Sequence, residues 1–419
     1  MSEGPGRGTT YVVGAGLAGL SAAVALAAEG HAVELIEGAA QAGGRCRSYL
    51  DPALNSVIDN GNHLVLSGNH AVMDYLATIG AADRLAGPEE AEFDFADVRD
   101  GRRWRVLPNP GPLAWWVLSP HRRPPGARLA DFLGLVALLI PRADRRIDQV
   151  LKCEGALWER LLHPFLLAAL NTDPAGASAA LAAAVVRETL ALGGRAYRPR
   201  IATPTLGAAF VEPALAFLAA KGAGVRLGQR VRQLVFDGGA VTGLVLPDRT
   251  IEIGPGDRVI LATPPWAAAE LVPDLTVPDR FEAIVNGHFL TRPPPGAPAM
   301  VGVIGGTAEW VFAFEDRISV TVSGAERIAD QDREALARAF WNDIRAVHRL
   351  PEAMPAWQIV KERRATFLAT PEQNARRPGA RTAWTNLILA GDWTAIGLPA
   401  TLEGAIRSGH TAARLAAAS

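Results

Sequence analysis

An α/β protein built around a parallel sheet is the fold this sequence predicts, on three observations. A short apolar strand at 11–13 runs into a glycine-spaced turn and an alanine-rich helix. A second strand follows and ends in an acidic residue. Far along the chain, a strand, a Gly-Asp pair and a glycine-rich loop again lead into a helix. The 419 residues exceed the ~100–200 of a typical single domain, so an inserted second domain is expected.

Composition bounds the function classes before any motif is read. Lys and Arg number 42 and Asp and Glu 43, for a net charge of −1. Nucleic acid is therefore not an expected partner, because phosphate binding needs a basic excess. Hydrophobic residues make up 49%, enough to bury a large core. Two cysteines, Cys46 and Cys153, cannot build a disulfide framework or a four-cysteine zinc site. No metal centre is expected, and a reducing compartment is. Three of the 42 basic residues are lysines, which we read as base composition rather than mechanism.

The first element carries the sharpest signal. Residues 11–28 are nearly all apolar, the look of a secretion signal or a membrane span. One arginine in the ten residues before it, and the glycine spacing, favour another reading. Gly14, Gly16 and Gly19 form G-x-G-x-x-G directly after a strand. Gly14 allows the tight turn, Gly16 lets backbone approach a pyrophosphate, and Gly19 lets the helix pack on the strand. The helix is expected over 20–28, its N-terminus favouring negative charge, and Leu17 and Ala18 between the glycines are expected among the cofactor contacts. The strand at 31–36 ends in Glu37, placed to accept hydrogen bonds from a ribose diol and to repel a 2′-phosphate. The next element, Gly43-Gly44-Arg45, has no use in an NAD fold. In FAD enzymes related to glutathione reductase and amine oxidase, a G-G-R segment follows the ribose acid. Its glycines allow backbone close to the cofactor, and Arg45 offers charge-assisted bonds.

The later elements fill in the architecture. Residues 223–263 read as alternating short strands with a hairpin turn at Gly238-Gly239. A strand at 387–390 precedes Gly391-Asp392-Trp393, then a glycine-rich loop with Gly397, Pro399, Ala400, Thr401 and Ala405, and Ser408-Gly409 leads into a final Ala-rich helix. Strand, Gly-Asp, glycine-rich loop and helix again suit an anion. The fold class is a Rossmann-like FAD-binding domain of glutathione-reductase and amine-oxidase type with an inserted mixed α+β substrate domain. The FAD domain is expected from 1–80, 206–270 and 381–419, and the substrate domain from 81–205 and 271–380. The first of these substrate blocks looks helical. The second mixes strands at 299–305, 309–315 and 318–323 with a helix near 330–347.

Four further segments carry a resemblance: 58–69 (IDNGNHLVLSGN), 169–172 (ALNT), 361–367 (KERRATF) and 397–401 (GLPAT). With the cofactor motifs they resemble the bacterial squalene-associated FAD-dependent desaturase group, within the flavin amine oxidase and phytoene desaturase superfamily. The resemblance spans nearly the whole chain. It implies an FAD-dependent oxidoreductase that removes the allylic hydroxyl of hydroxysqualene reductively, giving squalene, in a route that usually leads on to hopanoids. It also implies cofactor contacts from Asn60, Gly61, Asn62, His63 and Val231, alongside the glycine motifs and Asp392. In this superfamily an Asp at that place bonds the ribityl or pyrophosphate part of FAD.

Such a reaction needs a hydride, for which reduced flavin is the natural donor, and a proton donor within ~3 Å of the hydroxyl. His63 is the first candidate, a titratable group in the most distinctive segment; a structural histidine is the other reading. Asn60 and Asn62 either bond flavin carbonyls or satisfy their own loop. Trp393 packs near the flavin or lines an apolar pocket. Lys361 is a candidate for the lysine that many amine oxidases hold near flavin N5. Glu362, Arg363 and Arg364 either orient the hydroxyl or form a solvated charge run. No second nucleotide fingerprint is visible, so an external electron donor is expected.

Two apolar stretches, 113–118 and 132–140, are shorter than the ~20 residues needed to cross a bilayer. The Trp115-Trp116 pair near arginines suits a membrane interface or substrate gate, and 132–140 reads as a core helix. The membrane-facing part is placed at about 106–140, on a protein peripheral to the inner face of the cell membrane. Three other readings compete. An oxidative phytoene-type desaturase shares fold and cofactor. An amine oxidase expects an aromatic pair that is not evident. A lipid carrier of the GDP-dissociation-inhibitor type conflicts with the intact cofactor motifs.

Overall fold

The computed structural model describes residues 8–140 and 142–418. Residues 1–7, which open the segment assigned above to the FAD domain, lie outside the described residues, as do Pro141 and Ser419. The centre of the first half is β1 (Thr10–Val13), α1 (Leu17–Ala28) and β2 (Val33–Ile36). β1 and β2 pair in parallel within a five-stranded parallel sheet. Its order is Gly224–Arg226, β2, β1, Arg258–Leu261, Leu387–Leu389. Three distant parts of the chain thus meet in one sheet. Its strands are short and mostly rich in Val, Ile and Leu, as expected of strands covered on both faces.

α1 is buried almost all round, which explains why it reads as continuously apolar rather than amphipathic. Leu20 and Leu26 are fully buried, each stabilising by roughly 1.5–3 kcal/mol relative to exposure. The last helix, Leu402–Ala417, crosses α1 at Gly409. A Cβ on Gly409 would lie 2.0 Å from the Ser21 hydroxyl and 2.2 Å from the Ala18 carbonyl oxygen. Glycine there sets how near the two helices come.

The second sheet has seven strands, in the order Trp357–Phe367, Phe281–Phe289, Ile318–Val322, Trp310–Ala313, Met300–Ile304, Phe93–Asp97, Arg103–Val106. One face packs Val285, Phe289 and Val320 on Phe340 and Trp341 of the helix Arg333–His348. The other face turns Phe95, Met300, Trp310 and Phe312 toward Trp116 and Tyr197.

Two expectations from the sequence are corrected by this architecture. The block 81–205 is not simply helical: Phe93–Asp97 and Arg103–Val106 form a hairpin that joins the large sheet. Phe93 and Phe95 alternate with Asp94 at the strand period, and the arginine-rich partner is the sheet's edge, where charge is tolerated. The strand expected near 225 is there, as Gly224–Arg226, and extends the parallel sheet beside β2, while the hairpin expected at Gly238-Gly239 joins Gln233–Asp237 to Ala240–Val245. The stretch 132–140 is not a plain core helix. Leu138 is buried, but Leu133, Val136 and Ile140 are exposed.

Candidate active site

The glycine-spaced turn is built as its residue types require. Gly14 has φ +107°, and a Cβ on it would come within 2.6 Å of the Ala262 carbonyl oxygen. A Cβ on Gly19 would strike the Gly14 oxygen at 1.8 Å. Leu17 and Ala18 begin α1, so their amides belong to the first turn, which has no partner within the helix. The Glu37 carboxylate accepts hydrogen bonds from the Ala15 and Ala39 amides, both at 2.7 Å. Gln229 donates its backbone amide to the Glu37 carbonyl, so the Gln229–Val231 segment passes the end of β2; Val231 itself is buried in the core.

The Gly43-Gly44 turn docks on this first turn. Gly43 pairs with Gly16 and donates to the Ala15 carbonyl at 2.8 Å. Arg45 then reaches across the molecule. Its guanidinium binds both oxygens of Asp392 at 2.8 and 2.7 Å and also donates to the Ala365 carbonyl. Arg45 lies deep in the protein yet keeps 43% of its side-chain surface open; it lines an internal cleft. Arg377, buried, donates to the Asp392 and Thr394 carbonyls and stacks on Phe367. Burial lowers its pKa to about 10. Gly391 (φ +150°) donates to the Ser408 hydroxyl, and a Cβ on it would hit the Trp393 ring at 2.3 Å. Thr401 caps the last helix by accepting from the Gly404 amide, with Pro399, Ala400 and Ala405 beside it. Glu403, in its first turn, takes the Ala71 and Val72 amides and Arg407, fastening this motif to the helix that follows the distinctive 58–69 segment.

That segment forms the cleft's polar end. The Asn60-Gly61-Asn62 turn is tied to the large sheet by Asn286, which donates to the Asn60 carbonyl and accepts from the Thr321 hydroxyl at 2.8 Å. Asn62 donates its side-chain amide to Thr321. Asn60 points its amide at Glu362, 3.4 Å away. Asp59 lies beneath, held by Ser48, the Leu206 amide and Arg317. His63 sits deep, next to Arg45; burial first, then the Arg45 charge, lowers its pKa to about 4. Its imidazole is neutral at neutral pH, which does not suit the part of a cationic acid.

Two expected catalytic residues are not brought to this cluster. Lys361 stands on the helix-bearing face of the sheet and donates to the Gln331 carbonyl. Trp393 is buried in the core with its indole N–H donating to the Thr263 carbonyl at 3.0 Å. Cys46 is buried, and burial pushes its thiol well up, against any thiolate chemistry. From the polar end an apolar wall extends: Leu64 and Leu66 pack with Tyr197, Trp310, Phe312 and Trp116. Trp116 in turn meets Phe132 edge-on at 5.6 Å. The polar end of the site therefore borders a buried aromatic cluster.

Residues 17–417 match the family model for flavin containing amine oxidoreductases. The chain is 52% identical over 408 residues to a hydroxysqualene dehydroxylase of Rhodopseudomonas palustris, covering 97% of this chain and 98% of that protein. It is 49% identical over 407 residues to one from Zymomonas mobilis, covering 97% and 98%. The cyclohexylamine oxidase of Brevibacterium oxydans shares the fold, with a TM-score of 0.70 at 16% identity over 98% of this chain and 99% of that one. This chain belongs to the flavin containing amine oxidoreductase family.

As a member of that family it is an FAD-dependent oxidoreductase, and its cleft fits the cofactor. A Cβ on Gly16 would meet nothing within 4 Å, so the turn is open on the side where a pyrophosphate would lie. Beside the turn, the Thr263 hydroxyl is buried without a partner among the described residues, as is the Asn62 side-chain oxygen at the polar end. Thr263, Asn286, Thr321 and Arg377 escaped the sequence reading. For Asn286 a signal existed: Asn286 and His288 alternate with Val285 and Phe289, marking a polar stripe on a strand. Arg377, in a loop 15 residues before Asp392, gave none.

Proposed function

We propose that this chain removes the allylic hydroxyl of hydroxysqualene reductively to give squalene. The observation that carries the reading is identity of about half over nearly the full length to proteins named for that activity. The surroundings are in keeping with it: the polar cluster borders a buried aromatic cluster, an apolar setting that suits a hydrocarbon with a single hydroxyl. The FAD of this family, bound along the glycine turns and reduced, supplies the hydride. Gly14, Gly16, Gly19, Leu17 and Ala18 would receive its pyrophosphate, Glu37 its ribose, and the Asp392 and Thr401 region its flavin side. Arg45 and Asp392 fix the distance between the two cofactor motifs. Apolar side chains beside the polar cluster would keep water from the carbon that is reduced. Neutral His63 can donate one hydrogen bond there without adding charge.

The membrane face and the electron source belong to the same reading. Leu113, Trp115, Leu118, Leu133, Val136 and Ile140 are all exposed on one segment, while Trp116 and Leu138 anchor it in the core. Arg122 lies over Trp115 at 4.8 Å. Such a face beside the aromatic wall suits a protein resting on a bilayer and taking an isoprenoid from it. Both cysteines are unpaired, in keeping with the inner leaflet. Electrons come from an external donor; rapid stoichiometric bleaching of the flavin by NADPH alone counts against that.

The test of the main reading is a single anaerobic turnover. Chemically reduced enzyme is mixed with hydroxysqualene in detergent, flavin absorbance is followed, and the extract is analysed by mass spectrometry. Squalene forming as the flavin reoxidises is the expected result. Alcohol left intact by bound, reduced flavin refutes the reading and favours an oxidative desaturase.

A further inference from the structure

We propose that Glu362 supplies the proton with which the hydroxyl leaves; this rests on the alcohol-substrate reading above. The cleft holds other carboxylates, but each is already bound. Glu37 takes two backbone amides. Asp392 is paired in both oxygens with Arg45. Asp59 lies below the turn on Ser48, the Leu206 amide and Arg317. Glu403 takes two amides and Arg407. Glu362 differs. Among the described residues, the Asn60 amide at 3.4 Å is the one hydrogen-bond partner of its carboxylate. At that distance the carboxylate is directed but not saturated.

The strand delivers it there. Within Trp357–Phe367, Glu362 pairs opposite Ile284, and successive side chains alternate between faces. Lys361 and Arg363 consequently point the other way, to the Gln331 carbonyl and to Asp330. Arg364, on the same face as Glu362, is occupied over Trp266 at 5.0 Å and Phe281 at 5.8 Å. Of the three charges at 362–364, strand alternation and these contacts therefore send Glu362 alone to the cleft. It lies within electrostatic reach of Arg45, which itself borders His63. Glu362 is partly exposed, so solvent can return its proton after turnover.

The step balances. The allylic C–O bond breaks, and the oxygen leaves as water with its own hydrogen and the Glu362 proton. The carbon receives a hydride from the reduced flavin, gaining a C–H bond and two electrons, and the flavin is oxidised by two. Asn60 positions the carboxyl group; its role runs through Glu362.

The experiment compares wild type with Glu362→Gln and Glu362→Asp as FAD-loaded proteins. FAD content is read from absorbance. The Kd of oxidised enzyme for hydroxysqualene is read from tryptophan fluorescence, and the anaerobic single-turnover rate is measured on reduced enzyme. Glu362→Gln should keep FAD and hold its Kd within about threefold, yet lose roughly 10²–10⁴ in rate, the usual scale of general-acid assistance. Glu362→Asp should recover part of the rate. A glutamine variant within about tenfold of the wild-type rate, well short of the loss expected for a general acid, overturns the assignment and leaves the substrate reading standing. Loss of FAD or of alcohol binding in that variant gives Glu362 a structural role and also overturns it. Wild-type enzyme that leaves the alcohol untouched overturns both.

Discussion

Asp392 carries more of this molecule than a cofactor ligand would need to. Its carboxylate clasps Arg45 in both oxygens, while its own carbonyl receives Arg377. Bidentate charge-assisted bonds between partly buried groups are strong and geometrically strict. The substitution Asp392→Asn exchanges the carboxylate for a neutral amide of the same shape and leaves the Arg45 charge without its counter-charge. We expect FAD retention to fall about tenfold, on the scale of one charged hydrogen bond, measured as flavin absorbance after gel filtration. The residues whose type dictates backbone geometry were legible in the sequence: Gly14, Gly19 and Gly43 stand where positive φ or close approach excludes a side chain. Residues whose role depends on what faces them were not. A histidine titrates in free solution near neutrality, but its depth and Arg45 make His63 neutral here. Lys361 and Glu362 are neighbours in sequence, and strand alternation alone decides which one meets the cleft.

At the scale of elements, the segment 113–140 shows how far pattern reading goes. Its apolar runs are plain in the sequence. Which side chains turn inward depends on short helical turns whose packing is tertiary: Trp116 and Leu138 go in, Trp115, Leu133 and Val136 stay out. The hairpin Phe93–Asp97 with Arg103–Val106 was missed for a related reason, since its pairing partner Met300–Ile304 comes from the far half of the chain. If the exposed face meets lipid, charge on it should abolish binding without harming the fold. The double variant Leu133→Glu, Val136→Glu should retain FAD and Tm but fall by about tenfold or more in flotation with vesicles of mixed neutral and anionic lipids, as loss of buried apolar area and added repulsion require. Unchanged flotation would remove the membrane reading. The two glycine-turn units were the most legible elements, because each packs strand, turn and helix from residues close in sequence.

For the whole molecule, buried ionisable groups set the response to pH. Burial lowers the pKa of His63 to about 4, of His288 to about 3 and of His348 to about 4. The unfolded chain takes protons on these imidazoles from about 6.5 downward, whereas the folded chain does not until about 4. Between those values the unfolded state binds more protons, so stability falls as pH drops through that window. Glu309 acts the other way. It is buried, bonded to the Ser323 amide, and its pKa is raised from 4.5 to about 8. The folded state holds that proton while the unfolded state has lost it, so stability falls as pH rises between those two values. His163 and His410 are shifted down as well, and burial raises Asp59, Glu282 and Asp343 with Glu309; with five imidazoles against four carboxyl groups, we expect Tm to climb from about pH 4 to about 6.5 and then to decline toward about pH 8. Glu309→Gln should flatten the decline and leave the acid limb in place; thermal scans across the range read both.

The Arg45–Asp392 clasp also has a temporal meaning. Its two halves are 347 residues apart, and at roughly 5–20 residues per second the ribosome makes the second about 20–70 s after the first. Through that interval the nascent chain carries a glycine turn and an arginine with nothing to close on. We therefore expect cofactor capture to wait until both halves are made, and a chain halted before its last sheet strand to hold no flavin rather than to be a weak enzyme.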